Sequence, residues 1–420
     1  MKIALIAFPF FPSKDGISHT LTDIYKIFLK NEENFKVFNF TYKNKNCYKI
    51  LEQRKYSIKD FITQLKFKDF NYYLSILTLR LLSSKHISFQ NKLKTIIYFL
   101  LKPSLLVKSI NNIHHLYPYF KKFQFDIIIG GTSTASTQSI IFLLSKLFPL
   151  KVIYFAHGNE FMIHKYISLR DIFFKDSDKI IVHSNRLKKI LMRIRNLPAN
   201  KIEIIPPGLF PSDYKIQESK LDLRKKFDIS SDNFVILSVG RQIKRKNFSL
   251  VIKALNELRK LANDAMLRYY LIGTGPETKN LKALVKRLKL EDNVFFLGNC
   301  DDITRNNFYK ISDVFVMPSV PKEESIEGFG VVYLEANYFK LPVIGTFSGG
   351  TTEAIVDGVT GILVKQNDLG DLIDKLKYLY YNPEERKKLG ENGYNRVINN
   401  FSWEILYKDY YKVFRDVLLQ

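Results

Sequence analysis

Residues 314–345 read VFVMPSVPKEESIEGFGVVYLEANYFKLPVIG, and the pattern in this stretch indicates the fold class. A β-branched run at Val314–Met317 ends in Pro-Ser, and a loop then leads to Gly328 and Gly330. A helical pattern follows and stops at a Leu-Pro pair, after which a second short apolar run begins at Val343. Short apolar runs that alternate with a helix indicate a βαβ unit, in which both strands lie parallel in one sheet.

The same alternation continues on both sides of this stretch. Strand-like runs and helical patterns fill both halves of the chain, and Pro206-Pro207-Gly208 between them is typical of a linker. In the first half the runs are Ile3–Phe8, Phe35–Phe40, Asp126–Ile129, Val152–Phe155, Lys179–Val182 and Ile202–Ile205. In the second half they are Phe234–Val239, Tyr269–Ile272, Val294–Leu297, Val314–Met317, Val343–Gly345 and Ile362–Val364.

Two domains are predicted from this pattern and from the length of 420 residues, which is long for a single hydrophobic core. We expect an α/β protein of two Rossmann-like, doubly wound domains that face a central cleft. The first domain covers residues 1–207 and the second covers residues 208–400. A helix at about 401–420 could pack back on the first domain.

Residues 47–120 interrupt the alternation of strand-like runs and helical patterns in the first domain. They show helical patterns in which Leu, Ile, Phe and Tyr cluster among lysines. One interpretation is a set of helices packed on the first domain, with a solvated basic face. The interpretation that we favour is an interfacial region whose apolar side chains enter the lipid headgroup layer while its lysines meet anionic lipids.

The positive charge is concentrated in the first half. The formal net charge is +24; residues 1–206 hold 33 Lys and Arg against 13 Asp and Glu, a net of +20. Between Asp69 and Asp126 there is no acidic residue. Such a field attracts an anion: a lipid surface, a phosphorylated acceptor or nucleic acid. Because no nucleic-acid-binding motif is present and the excess is confined to one domain, we expect an anionic membrane surface and no nucleic acid.

The cysteines and the first residues indicate the compartment. Cys47 and Cys300 are the two cysteines, which cannot form a disulfide framework and favour a reducing environment. The apolar opening at 3–11 is interrupted by prolines and lacks a small-residue cleavage site, so we interpret it as a buried strand. Without an apolar run of about 18 residues, a spanning helix is not expected. We predict a cytoplasmic protein that is peripheral on the inner face of the cell membrane.

Glu327 to Glu335, EGFGVVYLE, carry the strongest chemical signal. They follow a strand and open a helix, and ligands of open α/β sheets bind beyond the carboxyl ends of strands. A glycine-flanked turn there lets backbone N–H groups approach a phosphate, and the helix N-terminus adds the positive end of its dipole. Glu327 could accept hydrogen bonds from sugar hydroxyls, and Glu335 suits a diol such as ribose. The alternative is a simple helix cap with two solvated glutamates.

The run from Ser238 to Lys246, SVGRQIKRK, carries a second signal. It follows a predicted strand, and a glycine with basic residues before a helix has the composition of a diphosphate site. Arg241 offers a planar fork to phosphate oxygens, and Lys246 offers a mobile point charge. The alternative is an exposed basic turn.

Two further segments of the first domain contain residue types that can act in catalysis or bind metals. His157 follows a predicted strand, where a histidine is more often structural, but the strand-end position favours a functional role. Asp176-Ser177-Asp178 matches an Asp-x-Asp metal motif, yet it immediately precedes the strand Lys179–Val182. We therefore expect no metal there, and the seven histidines show no ligand spacing.

These segments together resemble family 4 of the glycosyltransferases, whose members are retaining enzymes of the GT-B fold. Glu327 to Glu335 is similar to the Glu-x7-Glu motif of that family. The other similar segments are Val239-Gly240-Arg241 with Lys246, Leu271–Pro276, Pro318-Ser319, and Gly349-Gly350 through Glu353 to Gly361. The resemblance covers nearly all of 205–400 and, more thinly, 1–205.

The resemblance implies a role for each site residue. Arg241 and Lys246 would bind the donor diphosphate, Glu327 the donor sugar, and Glu335 the ribose. His157 would lie beside the reacting sugar. The remaining donor-binding residues would be Gly16, Gly240, Gly273, Phe329, Gly330 and Val331. Gly16 stands in the segment DGI, where many relatives carry paired glycines, so this chain departs from the pattern there.

The implied reaction moves a hexosyl unit from a UDP- or GDP-sugar to an acceptor hydroxyl, with retained anomeric configuration. The acceptor would be a lipid-linked or cell-surface glycan precursor. His157, Glu327, Arg241 and Lys246 would form the catalytic set, without a metal or cofactor. Two alternatives stay open: a sugar epimerase of the GT-B fold, or a non-catalytic protein that binds membranes or nucleic acid.

Overall fold

The computed structural model describes residues 1–7, 36–43, 47–50, 113, 116–131, 135–157, 171–260, 266–322 and 326–420, with 23, 24, 26–28 and 30. These residues form two compact units, Met1–Ile205 with Tyr407–Gln420, and Pro206–Leu406. Each unit is built around one largely parallel sheet. The α/β class predicted from the sequence is therefore confirmed.

The described part of the first unit contains a seven-stranded sheet in the order β3-β2-β1-β4-β5-β6-β7. The strands are β1 (Lys2–Ala7), β2 (Lys36–Lys43), β3 (Cys47–Ile50), β4 (Ile127–Gly131), β5 (Lys151–Ala156), β6 (Lys179–Val182) and β7 (Ile202–Ile204). Neighbouring strands run parallel except β2 and β3, which are antiparallel. Strands β4, β5 and β6 are almost entirely buried, as expected where both faces of a sheet are covered.

One strand lies where the sequence pattern indicated helices. Cys47–Ile50 opens the stretch 47–120 but forms β3 at the edge of the sheet, paired with β2. Four residues are too few to show a helical period, so the pattern could not distinguish the two states. Residues 116–123 are helical, and apart from residue 113 the stretch between 50 and 116 lies outside the described residues.

The described residues of the first unit that precede the linker include the helices α1 (Ala135–Leu147), α2 (Asp171–Asp176) and α3 (Asn185–Arg195). Helix α3 begins after Ser184, whose Oγ accepts a hydrogen bond from the Leu187 backbone N–H at 3.3 Å. Such an N-cap satisfies one of the free N–H groups of the first turn.

The second unit contains a six-stranded sheet, within its described residues, in the order β10-β9-β8-β11-β12-β13. The strands are β8 (Phe234–Val239), β9 (Leu267–Ile272), β10 (Val294–Gly298), β11 (Val314–Val316), β12 (Val343–Thr346) and β13 (Gly361–Val364). All pairs are parallel. This order is that of a Rossmann fold, and the direction of winding reverses between β8 and β11.

Helices alternate with these strands. They are α4 (Lys220–Lys226), α5 (Phe248–Leu258), α6 (Thr278–Arg287), α7 (Asp302–Ile311), α8 (Val331–Tyr338), α9 (Thr351–Ala354), α10 (Leu369–Tyr381) and α11 (Pro383–Asn400). Val235 and Leu237 of β8 and Val251 and Leu255 of α5 are fully buried in one apolar core. This core fixes the strand ends that carry the site described below.

The last helix, α12 (Trp403–Leu419), starts in the second unit and belongs to the first from Tyr407 onward. In the first unit its Tyr410 stacks on Phe155, with ring centroids 5.8 Å apart, and Phe414 stacks on Phe28 at 5.1 Å. Across the described ranges, none of the helices combines the length and apolarity needed to cross a bilayer.

Candidate active site

The strand order of the second unit brings several predicted site residues to one edge of its sheet. Gly240 and Arg241 directly follow β8, Gly273 follows β9, and Pro318-Ser319 lie just beyond β11. The carboxyl ends of parallel strands share one edge, and the reversal of winding between β8 and β11 opens a crevice there. The candidate site is therefore at the position where this fold usually binds ligands.

Two glycines let the loops after β8 and β9 approach each other closely. Gly273 has a φ of +113°, and a Cβ added there would lie 2.2 Å from the carbonyl oxygen of Gly240. Gly240 has a φ of +150°, and its N–H donates to the Ile272 carbonyl oxygen at 2.9 Å. Gln242 Nε2 donates to the Gly273 carbonyl oxygen at 2.7 Å. A side chain at Gly273 would therefore separate the loops, whereas at Gly240 it is the positive φ that favours glycine.

Glu327 lies beside the end of β11 and forms an ion pair with two cations. Lys246 Nζ and Arg245 Nη1 both donate to Glu327 Oε2, each at 2.6 Å. Ser319 Oγ donates to the same oxygen at 3.3 Å. The Gly350 N–H donates to the Glu327 carbonyl oxygen at 2.9 Å, which fixes the backbone at this point.

Burial determines the electrostatics of this cluster. The side chains of Glu327, Lys246 and Arg245 are only 10%, 12% and 10% exposed. Burial alone would raise the pKa of Glu327, but the Lys246 ammonium and the Arg245 guanidinium lower it to about 2. Burial lowers the pKa of Lys246, and the Glu327 carboxylate offsets this only in part. Two cations share one carboxylate, and this excess of positive charge favours an anion nearby.

Arg245 is absent from the residues that the sequence predicts for the site. It belongs to the 3₁₀ turn Lys244–Lys246, in which three cations are adjacent. Arg245 and Glu327 are 82 positions apart in the chain, and only the folded structure shows which cation reaches the carboxylate. In the sequence, the basic run Lys244–Lys246 indicates a local positive charge, but it does not indicate which carboxylate Arg245 contacts.

Arg241 differs from these buried cations because it is exposed. Its carbonyl oxygen accepts a hydrogen bond from the Ile243 N–H at 2.9 Å, but its guanidinium makes no hydrogen bond or ion pair with any residue that the structure describes. A guanidinium presents a planar fork that matches phosphate oxygens. Arg241 is therefore available to a ligand at the end of β8.

The N-terminus of α8 follows Glu327 closely. Gly330 precedes the helix with a φ of +97°, and a Cβ there would lie 2.5 Å from the ring of Tyr333. Val331, the first helical residue, is half-buried. The Phe329 side chain packs on Phe401, with ring centroids 5.7 Å apart. Phe329 is thus a core residue whose backbone, rather than its ring, could meet a ligand.

Glu335 is buried one turn further along α8 and is bound by two tyrosines. Tyr309 Oη donates to Glu335 Oε2 at 2.7 Å, and Tyr214 Oη donates to Oε1 at 3.1 Å. The charged guanidinium of Arg305 lies near them; burial would lower its pKa, but the Glu335 carboxylate contributes to a net rise. The alternative of a solvated glutamate is therefore wrong for this residue, and Glu335 has a structural role whatever else it binds.

His157 follows β5 in the first unit and contacts a second histidine. His183 Nδ1 lies 2.9 Å from the Ile205 carbonyl oxygen, and His183 Nε2 lies 3.0 Å from His157 Nδ1. A carbonyl oxygen only accepts, so a neutral His183 carries its proton on Nδ1 and accepts at Nε2. A neutral His157 then carries its proton on Nδ1, which leaves Nε2 as an acceptor.

The remaining predicted residues are placed as follows. Gly16 lies outside the described residues. Asp176 pairs with Lys146 at 2.6 Å, whereas Asp178 pairs with Lys151 at 3.4 Å and accepts from the Val152 N–H at 2.7 Å. These contacts tie α2 and β6 to their neighbours. In the described ranges, no group of three or more His, Cys, Asp or Glu side chains could hold a metal ion.

Two protein-family models match the chain. The model described as "Glycosyl transferases group 1" matches residues 219–396, and the model described as "Glycosyltransferase Family 4" matches residues 79–212. A GDP-mannose-dependent alpha-(1-6)-phosphatidylinositol monomannoside mannosyltransferase of Mycolicibacterium smegmatis is 27% identical over 209 residues. That alignment covers 49% of this chain and 54% of the relative, so the chain spans about half the length of this curated relative.

Solved structures resemble the chain over nearly its whole length. Sucrose-phosphate synthase from Thermosynechococcus elongatus has a TM-score of 0.72 and 18% identity, over 100% of this chain and 99% of that one. The Anabaena protein HepE, crystallised with UDP, has a TM-score of 0.67 and 17% identity, over 99% and 100% of the two chains. At these identities the likeness shows a shared fold.

Proposed function

Because the chain belongs to the group 1 glycosyltransferases and has the GT-B fold, we propose that it transfers a hexosyl unit, with retention, from a nucleoside diphosphate sugar. The observation that carries this proposal is the cluster at the end of β11. There Lys246 and Arg245 share the buried carboxylate of Glu327, and exposed Arg241 stands at the end of β8. A diphosphate complements this excess of positive charge, and an adjacent carboxylate complements sugar hydroxyls.

The proposed reaction needs no metal. The bond between the anomeric carbon and the departing phosphate oxygen breaks, and the acceptor oxygen bonds to that carbon on the same face. The acceptor proton passes to the departing phosphate oxygen. Arg241, Lys246 and the N-terminus of α8 stabilise the charge that develops on the leaving diphosphate, which is often the largest catalytic contribution. His157 positions the acceptor or the sugar through its Nε2.

The relatives support two donor classes and one acceptor class. The mycobacterial relative is named for GDP-mannose and a phosphatidylinositol mannoside, and the Anabaena protein was crystallised with UDP. We accordingly propose a UDP- or GDP-sugar as donor and a lipid-linked or glycan acceptor. Glu335 would bind the donor ribose and Glu327 the sugar hydroxyls.

The test is a thermal-shift screen of the purified chain with UDP, GDP, UDP-glucose, UDP-N-acetylglucosamine and GDP-mannose. A ligand at 100 times its Kd should stabilise the folded chain by about 2.7 kcal/mol, which gives a measurable rise in Tm. With the donor identified, release of the nucleoside diphosphate should continue in excess EDTA, because Arg241 and Lys246 take the place of a divalent ion.

Three outcomes would contradict this proposal in different ways. No shift with any of the five ligands would argue against a nucleotide-sugar enzyme. Loss of turnover in EDTA with rescue by magnesium or manganese would contradict the metal-free reaction. Conversion of the sugar without transfer to an acceptor would favour an epimerase.

We also propose that the chain attaches peripherally to an anionic membrane. The predicted region 47–120 lies mostly outside the described residues, but α3 supports the proposal. Between Asp178 and Glu203 the sequence has seven basic residues and no acidic one. Met192 and Ile194 of α3 are 37% and 41% exposed beside these charges. Each Lys or Arg near an anionic bilayer contributes about 1 kcal/mol, so a few are sufficient for reversible binding.

The chain is expected to sediment with anionic vesicles, less with neutral ones, and to be released by high salt, because salt screens the attraction. Replacing exposed Arg186, Lys189 and Arg193 by glutamate should reduce sedimentation about tenfold or more. The matched control replaces three exposed cations of α6, Lys279, Lys286 and Arg287, by glutamate, which makes the same change in charge on the other unit. Equal loss in both variants, or equal binding to neutral vesicles, would contradict membrane docking through the first unit.

A further inference from the structure

The contacts of Glu327 are unequal at its two oxygens. Oε2 accepts from Lys246, Arg245 and Ser319. None of the hydrogen bonds that Glu327 forms with described residues reaches Oε1. The carboxylate is thus anchored at one oxygen and can accept at the other.

Lys246 has two partners in the proposed reaction. In this structure its ammonium binds Glu327, whereas in the donor complex it also faces the diphosphate. A buried carboxylate that loses its counter-ion is strongly destabilised, because its charge is then left uncompensated away from water. Some other cation must therefore stay with Glu327 when Lys246 turns toward the donor.

Arg245 is held in place to do this. Its carbonyl oxygen accepts from the Val320 N–H at 2.8 Å, and its guanidinium is bound to Glu327. An arginine does not lose its charge on burial and offers a preorganised fork, unlike the neighbouring lysine. Resting on the function proposed above, we infer that Arg245 is a positioning residue that keeps Glu327 ionised and oriented, with Oε1 toward the donor sugar, when Lys246 engages the diphosphate.

A double-mutant cycle tests this inference, with the tightest-binding ligand among UDP-glucose, UDP-N-acetylglucosamine and GDP-mannose as the probe. In the wild-type background, Arg245→Met should weaken probe binding about tenfold, since Lys246 is then the sole counter-ion of Glu327 and is withheld from the diphosphate. In the Glu327→Gln background Lys246 is already free, so Arg245→Met should change the Kd less than about threefold. Arg245→Lys should restore part of the wild-type affinity.

Lys244→Met is the matched control, because Lys244 is an exposed cation of the same turn. It removes the same formal charge and should leave the probe Kd within about twofold, as surface charges contribute little. Equal losses from Arg245→Met in both backgrounds would overturn the inference, since Arg245 would then contact the donor or act only on the fold. If Arg245→Met unfolds, Arg245→Lys in both backgrounds gives the same comparison. If the wild-type protein binds none of the three probes, the result would instead contradict the proposed function itself.

Discussion

Replacing Lys246 by methionine is expected to lower kcat/KM for nucleoside diphosphate release about 100- to 1000-fold, as loss of one preorganised charge at a reacting group typically does. Methionine preserves much of the buried volume, and Glu327 keeps Arg245 as its counter-ion. The fold should therefore persist. The loss arises because the buried cluster no longer has more cations than carboxylates, so it no longer attracts the diphosphate or stabilises its departure. Calorimetric titration with the nucleoside diphosphate and a rate measurement together check this.

The control for Lys246→Met is again Lys244→Met, which also removes one positive charge, but from the exposed surface of the same turn. A drop in both variants would point to general electrostatic attraction rather than to a contact with the diphosphate. Unchanged diphosphate affinity in Lys246→Met, with a normal Tm, would show that the donor binds elsewhere. Arg241→Ala should weaken diphosphate binding without loss of stability, because the Arg241 side chain is exposed and its guanidinium has no partner among the described residues.

The fold class could be predicted because each strand is a short apolar run with its own boundaries. Every run identified in the second half corresponds to one of β8 to β13, within a few residues at each end. The runs in the first half likewise correspond to strands other than β3. Their order in the sheet is less accessible, because it depends on which faces pack together. The short antiparallel strand β3 was not predicted, because its pairing with β2, rather than any local periodicity, makes it a strand.

The candidate site was accessible in part. The roles of Gly273 and Gly330 could be predicted from the sequence, because a glycine after a strand or before a helix often marks a positive φ or a close contact that has no room for a Cβ. The contact of Arg245 with Glu327 and the burial of Glu335 could not be predicted, because both depend on contacts between segments that are distant in the sequence. Tyr214 and Glu335, for example, are separated by 121 positions. A charged residue on a helix is usually solvated, and only its packed neighbours show otherwise.

Glu335→Leu is expected to destabilise the second unit by about 2–5 kcal/mol, because it leaves two buried hydroxyls without their acceptor. In a domain of this size that corresponds to a fall in Tm of roughly 10 °C. The two hydroxyls are those of Tyr309 and Tyr214, and the nearby Arg305 guanidinium also loses a favourable electrostatic interaction with the carboxylate. Chemical denaturation of the variant, monitored by circular dichroism, gives the free energy of unfolding.

Two controls separate this structural role of Glu335 from ribose binding. Glu291→Leu changes an exposed glutamate of the same unit and should alter stability by about 0.5 kcal/mol or less. Tyr309→Phe removes one hydroxyl from Glu335 and should cost about 1 kcal/mol while the carboxylate stays available to the donor. If Glu335 also binds ribose, Glu335→Gln should weaken nucleoside diphosphate binding more than Tyr309→Phe does at similar stability. Equal affinities in these two variants would leave Glu335 with a structural role alone, and the ribose contact would have to come from another residue.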